Sequence, residues 1–168
     1  ILILAWSLSS VIKDLGTAQT LSALVGEDVS PAFLPAIVFV LGAVISIATG
    51  SSWGTFAILM TLAIPVAVAI GAPLYLTIGA VLSGGLFGDH TSPISDTTVL
   101  SSVGADCPHI DHVSTQFYYA LLVGTVAFMT FIAAGVLGSM LVGVAGLAVL
   151  FAAIQIISRR FGYRAVIG

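Results

Sequence analysis

Carboxylates, hydroxyls and an imidazole are concentrated in one short polar run, residues 84–98, within an otherwise apolar chain. The run holds two of the seven acidic residues, Asp89 and Asp96, and one of the three histidines, His90. Ionisable groups at bilayer depth are costly, and where they occur they usually mark an ion or proton path. If these residues lie within a membrane, their types predict an ion-binding site.

The composition places the chain in a membrane. Hydrophobic residues make up 59% and charged residues 7% of it, and the mean hydropathy is +1.21, whereas about a quarter of a soluble domain is charged. Apolar runs that contain glycine recur along the chain, which favours transmembrane helices over the alternating segments of a barrel. The predicted fold class is therefore all-α integral membrane. A net charge of -3 implies no nucleic-acid partner.

Oxygen-rich side chains of this kind suit sodium, a hard cation. A carboxyl group that is held away from water can keep either a proton or a cation, but not both, and this competition is the physical basis of antiport. The candidate ion-binding or substrate-binding residues are Asp89, Asp96, Thr91, Ser92, Ser95 and Thr97 in the polar run, and Thr49, Ser51, Ser52 and Thr55 in a second polar cluster.

Asp89 is the first choice for the exchanging carboxyl group because it follows Gly88 in a segment that can unwind. Asp96 is the second choice, and a helix N-cap is an equally good interpretation of it. His90 is a candidate proton relay, together with Asp89, or a simple hydrogen-bond donor.

Two segments are predicted to position these groups. Residues 32–70 form two apolar arms around the polar cluster 49–55, each reaching about 22 to 26 Å against about 30 Å of hydrocarbon. A re-entrant hairpin with a buried tip fits these lengths, and two tilted spans are the alternative. Residues 73–103 as one straight helix would be about 46 Å long, so we expect a discontinuous helix that unwinds over 87–96. The competing topology places 88–115 in water.

The remaining segments complete a single transmembrane domain, 1–168. Residues 1–25 form a spanning or interfacial helix, and a spanning one would put Lys13 and Asp14 at mid-depth. Residues 104–115 form a cytoplasmic loop, 116–136 and 139–157 are spans, and 158–168 is a basic tail that the positive-inside rule places in the cytoplasm. The spacing of Cys107, His109 and His112 matches no strong zinc pattern, so neither a metal site nor a cofactor is predicted.

Residues 88–102, with 109–113 and Gln116 after them, closely resemble the NhaC-type sodium/proton antiporter family; residues 5–16 and 49–55 resemble its other signatures. The resemblance implies the C-terminal half of an inverted-repeat transporter in the cytoplasmic membrane. The implied partners are Na⁺, H⁺, the lipid bilayer and the N-terminal half, with a small organic anion or amino acid and a homodimer as further options. Na⁺ and H⁺ are transported ions here, not cofactors.

Three other functions are weighed against Na⁺/H⁺ exchange. Relatives of this family also exchange small carboxylates of the malate or lactate type, or amino acids, with sodium or protons. An intramembrane aspartyl protease would use a Gly-x-Gly-Asp run, but Leu86 stands at the required glycine before Gly88 and Asp89, and there is no Tyr-Asp partner motif. A membrane-anchor subunit without a site is the third. The favoured interpretation is a secondary transporter and not an enzyme.

Overall fold

The computed structural model describes residues 2–17, 19–20, 23, 30–139 and 141–161, and within these residues it is helical and contains no strand. A short 3₁₀ turn, Pro31–Phe33, precedes the second helix. The helices are α1 Leu2–Asp14, α2 Leu34–Thr49, α3 Ser52–Ile70, α4 Leu74–Thr91, α5 Asp96–Gly104, α6 His109–Leu137 and α7 Leu141–Phe161.

Four helical segments of the described chain are long and apolar enough to cross a bilayer: Pro31–Thr49, Ser52–Ile70, His109–Leu137 and Leu141–Arg159. Together with the composition, they make this a multi-pass membrane protein. The predicted all-helical transmembrane class is confirmed.

Helix α4, which carries residues 84–91 of the polar run, is less apolar than these spans and packs at the centre of the structure. It contacts α2, α3 and α6, and α6 also contacts α2 and α7. Its buried face includes Thr77, Ala80 and Val81, so a helix of mixed polarity is shielded by protein on several sides. A central helix can carry polar side chains because its neighbours, not lipid, surround them.

Glycines bring α4 unusually close to α2. A Cβ atom added at Gly88 would lie 2.6 Å from the Cβ of Ser46, and one added at Gly42 would lie 3.2 Å from the backbone nitrogen of Gly85. Small residues of this kind allow the backbones of membrane helices to approach. The close contact lets Ser46 donate a hydrogen bond, 2.7 Å long, to the Gly85 carbonyl oxygen across the helix pair.

The polar tip between α2 and α3 is shorter than predicted. The turn comprises Gly50 and Ser51 alone, because Gly50 adopts a left-handed conformation (φ 64°) that ends α2. Ser51 then caps α3 by accepting a hydrogen bond from the backbone N–H of Gly54. Residues 52–55 are therefore helical and not loop. Because the segments Pro31–Thr49 and Ser52–Ile70 are each long enough to span, their lengths do not require a re-entrant hairpin.

The interruption in residues 73–103 lies at 92–95, between α4 and α5. The prediction that unwinding begins at Phe87 is wrong, since the helix continues through Thr91. It ends there because the residue before a proline is disfavoured in the helical conformation, and Ser92, before Pro93, is extended (φ -76°, ψ 125°).

The predicted loop 104–115 is also too long, because α6 begins at His109 and only 105–108 connect it to α5. The hydroxyls of Ser114 and Thr115 bond back to the Asp111 carbonyl oxygen within the first turns, which lets this polar stretch remain helical. The end of the basic tail, 162–168, lies outside the described residues.

Candidate functional site

The carboxyl group of Asp89 is buried, with 3% of the residue exposed, and hydroxyl groups surround it. Ser95 donates a hydrogen bond of 2.8 Å to Oδ1, and Thr97 donates one of 3.1 Å to Oδ2. The Ser52 hydroxyl lies 3.5 Å from Oδ2. The Ser95 and Thr97 hydroxyl oxygens are themselves 2.7 Å apart. The four side chains thus form one oxygen cluster.

Three different elements supply this cluster. Asp89 lies in the last turn of α4, Ser95 is the N-cap residue of α5, and Thr97 is in the first turn of α5. Ser52 is the first residue of α3, directly after the tight turn. The ends of three helices therefore meet at one carboxyl group, which is the arrangement that discontinuous helices make available to ions in transporters.

Only hydroxyl groups contact the Asp89 carboxylate among the hydrogen bonds of the described residues, and no basic side chain there pairs with it. Burying a carboxylate without a compensating positive charge is strongly unfavourable. A proton or a cation would remove that cost. Hydroxyl groups suit both states because each can donate its hydrogen or, after rotation, offer an oxygen lone pair.

The interruption that carries Ser95 is held by its neighbours on two sides. Ser92 is fully buried and donates a 2.8 Å hydrogen bond to the Ile47 carbonyl oxygen of α2. The tight turn at Gly50 also lies against the interruption, since a Cβ atom added at Gly50 would lie 2.8 Å from the Ile94 carbonyl oxygen. The geometry of the oxygen cluster thus depends on α2 and on the turn as well as on α4.

Several other candidate residues lie outside the cluster. Asp96 is exposed, and its Oδ1 accepts a hydrogen bond from the Thr97 backbone N–H. His90 is exposed and lines a separate groove of about 490 Å³ with Gln116 and Tyr119.

The remaining hydroxyl candidates are used within their own segments. Thr49 and Thr91 bond to backbone carbonyl oxygens one turn earlier in their helices. The Thr55 hydroxyl does the same to the Ser51 carbonyl oxygen, while the Ser51 side chain caps α3.

Sequence reasoning overlooked polar residues that support the cluster from outside the polar run. Ser46 joins α2 to α4, and His109 on α6 contacts both Pro93 and Ser102. Within the polar run itself, Thr98 is 2% exposed, and its hydroxyl oxygen has no hydrogen-bond partner among the described residues. Ser95, Thr98 and Ser102 recur at helical spacing on the buried face of α5, a signal that the sequence contained.

Cys107, His109 and His112 do not assemble a metal site: within the described part of the chain, no three His, Cys, Asp or Glu side chains are grouped as ligands.

Comparison with known proteins gives consistent matches. The model of the Na⁺/H⁺ antiporter family matches residues 1–136. The Na⁺/H⁺ antiporter NhaC of Bacillus subtilis is 37% identical over 131 residues, which cover 76% of this chain and 28% of that protein.

Two relatives carry other names. The arginine/ornithine antiporter ArcD of Halobacterium salinarum is 33% identical over 137 residues, 82% of this chain and 28% of that protein. The malate-2H⁺/Na⁺-lactate antiporter of Bacillus subtilis is 35% identical over 106 residues, 63% of this chain and 23% of that protein. The chain thus spans less than a third of the length of these relatives. No solved structure matches it.

Proposed function

Because the chain belongs to the Na⁺/H⁺ antiporter family, we propose that it forms part of a secondary active transporter that exchanges Na⁺ for H⁺ across the cytoplasmic membrane. The exchanging group is Asp89. The observation that carries this proposal is a carboxyl group that is 3% exposed, surrounded by hydroxyls and without a basic partner in the described residues.

The two states use the same oxygen atoms. With a proton bound, the neutral Asp89 carboxyl donates its hydrogen to a neighbouring hydroxyl, and the burial costs little. With Na⁺ bound, the ionised carboxylate and the oxygens of Ser95, Thr97 and Ser52 face the cation while the hydroxyl hydrogens point away. Since one carboxyl group serves both states, the arrival of Na⁺ displaces the proton.

The full transporter supplies the rest of the path. The N-terminal half, related to this one as an inverted repeat, would face the Asp89 site from the other side, with both near the bilayer midplane. In this arrangement α2 and α3 form a hairpin, the arginines after α7 place the C-terminus in the cytoplasm, and two copies form a homodimer.

Asp89→Asn in the full-length protein tests the proposal. In proteoliposomes that contain a pH-sensitive dye, a Na⁺ gradient should drive proton movement through the wild type and not through this variant, because an amide cannot exchange a proton for a cation. Asp106→Asn is the matched control. Asp106 is exposed and has a positive φ of 49°, which asparagine tolerates well. Exchange that survives Asp89→Asn would refute the role of this carboxyl group.

An antiporter of small carboxylates or amino acids is a second candidate, because relatives at 33% and 35% identity carry the names arginine/ornithine antiporter and malate-2H⁺/Na⁺-lactate antiporter. The same proteoliposomes separate the two functions. A cation exchanger moves protons with sodium alone, whereas a solute antiporter is silent until an organic solute is added to the opposite side.

A further inference from the structure

His109, the first residue of α6, makes a hydrogen bond that reaches into the interruption between α4 and α5. Its Nε2 lies 2.7 Å from the Pro93 carbonyl oxygen, and its Nδ1 lies 3.2 Å from the Ser102 hydroxyl oxygen of α5. Because a carbonyl oxygen can only accept, Nε2 must carry the hydrogen. Both ring nitrogens have a partner, so the ring orientation is fixed.

The Pro93 carbonyl oxygen lies in the interruption, between the two flanking helices. Residues 92–95 lie outside both flanking helices, and Pro93 has no backbone N–H to donate. The Pro93 carbonyl oxygen accepts a hydrogen bond from another helix, where His109 supplies the donor. This bond ties the interruption to α6.

Only Ile94 separates Pro93 from Ser95, whose hydroxyl donates to Asp89 Oδ1. The second tie, from Ser92 to the Ile47 carbonyl oxygen, holds the other end of the same segment against α2. Backbone hydrogen bonds also hold both ends of the segment, from the Ser92 N–H to the Gly88 carbonyl oxygen and from the Ser95 N–H to the Ser92 carbonyl oxygen. The peptide between Pro93 and Ile94 is held instead by the bond from His109. Losing the tie at Pro93 would let Ser95 move away from the carboxyl group.

We propose that His109 is a positioning residue for the cation site at Asp89. It does not touch the transported ion, and it acts by fixing the peptide between Pro93 and Ser95 so that the hydroxyls of Ser95 and Thr97 face the carboxyl group. The inference rests on the proposed function for its effect on transport, but the order of residues 92–95 can be measured whatever the transported ion is.

The first measurement is labelling of a buried reporter. Ser92 is 0% exposed, so a Ser92→Cys substitution in a full-length protein without other cysteines should react slowly with a maleimide. Adding His109→Leu, which removes the donor at similar size, should raise the labelling rate about tenfold. His109→Gln should keep the rate low because its amide N–H reaches the position of Nε2.

The second measurement is the Na⁺ concentration for half-maximal exchange in proteoliposomes. His109→Leu should raise it about tenfold, the equivalent of one lost hydrogen bond, with a smaller change in maximal rate, and His109→Gln should restore it. His112→Leu is the matched control one turn along α6, since His112 Nε2 has no hydrogen-bond partner in the described residues. It should change neither measurement.

If His109→Leu does not yield folded protein, His109→Asn replaces it, because its shorter amide cannot reach Pro93 and should behave as leucine would. The inference is overturned if the labelling of Ser92→Cys is the same with and without the imidazole, or if glutamine fails to restore it. A wild type that exchanges no Na⁺ for H⁺ would refute the proposed function instead, and the labelling result would still decide the role of His109.

Discussion

Gly88→Ala tests the close contact between α2 and α4. The added Cβ would lie 2.6 Å from the Ser46 Cβ, whereas carbon atoms in contact prefer about 3.5 to 4.0 Å. The two helices must therefore separate by about 1 Å. That movement would stretch the bonds from Ser46 to the Gly85 carbonyl oxygen and from Ser92 to the Ile47 carbonyl oxygen to about 3.7 Å, beyond hydrogen-bond range.

A buried polar group that loses its partner costs about 1 to 3 kcal/mol, so two broken bonds should destabilise the protein by about 2 kcal/mol or more. This chain covers 28% of two of its relatives, and in a full-length protein of that size the apparent melting temperature should fall by about 2 °C or more. Thermal unfolding of the purified full-length protein in detergent measures this change. Sodium-driven exchange should weaken in parallel, because Asp89 adjoins the altered residue.

Gly143→Ala is the matched control for this experiment. Gly143 lies within α7, and no atom comes within 4 Å of a Cβ added there. Alanine favours the helix over glycine, so the melting temperature should stay the same or rise. If Gly88→Ala unfolds at the same temperature as Gly143→Ala, the close approach of α2 and α4 is not as described, and the two interhelical hydrogen bonds lose their basis.

Two further substitutions test the oxygen cluster and the tight turn. Ser95→Ala removes a 2.8 Å donor to the buried carboxyl group and should raise the half-saturating Na⁺ concentration about 10- to 150-fold. Ser101→Ala, on the exposed face of α5, is the control and should leave this concentration unchanged. Equal half-saturating concentrations in the two variants would exclude Ser95 as a ligand. Gly50→Ala should destabilise the protein by more than Gly71→Ala. Both glycines have positive φ, 64° and 71°, so alanine at either position brings a backbone strain of about 1–2 kcal/mol. Only at Gly50 would the new Cβ meet another atom, the Ile94 carbonyl oxygen at 2.8 Å. The difference in melting temperature between the two variants measures that contact.

The sequence was sufficient to predict the membrane environment and the helical class, because both follow from composition and the length of apolar runs. It also singled out Asp89 and Ser52, which the structure brings together although they lie far apart in the chain. Their polarity in an apolar context was the signal. A polar side chain in such a chain tends to lie beside other polar groups, since lipid offers it no partner.

The bounds of the interruption were harder to predict. The excess length of residues 73–103 and the position of Gly88 suggested unwinding over 87–96, but Gly88 serves close packing against α2 within an intact helix. The helix ends where Pro93 acts on Ser92, which is a local rule that the sequence contained. The prediction gave the excess length of the run too much weight and Pro93 too little.

The contacts that other helices make with the site could not be predicted from the sequence. The bond from Ser46 to Gly85 and the bond from His109 to Pro93 depend on how α2 and α6 are rotated against α4 and α5. Helical periodicity predicts which residues share a face, but it does not say which two faces meet. His109 also appeared in a stretch that reads as a polar loop, and its helical position is evident only in the structure.

The carboxyl group and its donors are supported by different parts of the protein. Asp89 belongs to α4, which glycines press against α2, whereas Ser95 and Thr97 belong to the interruption and to α5, which contacts α6. Helix α5 is short, and outside its buried Thr98 and Ser102 it is exposed. Moving α5 relative to α4 would therefore remove two oxygens from the carboxyl group while leaving the α2–α4 contact intact. A site built in this way can change its affinity for a cation through a small movement, which would help the proposed exchanger release its ion on the opposite side of the membrane.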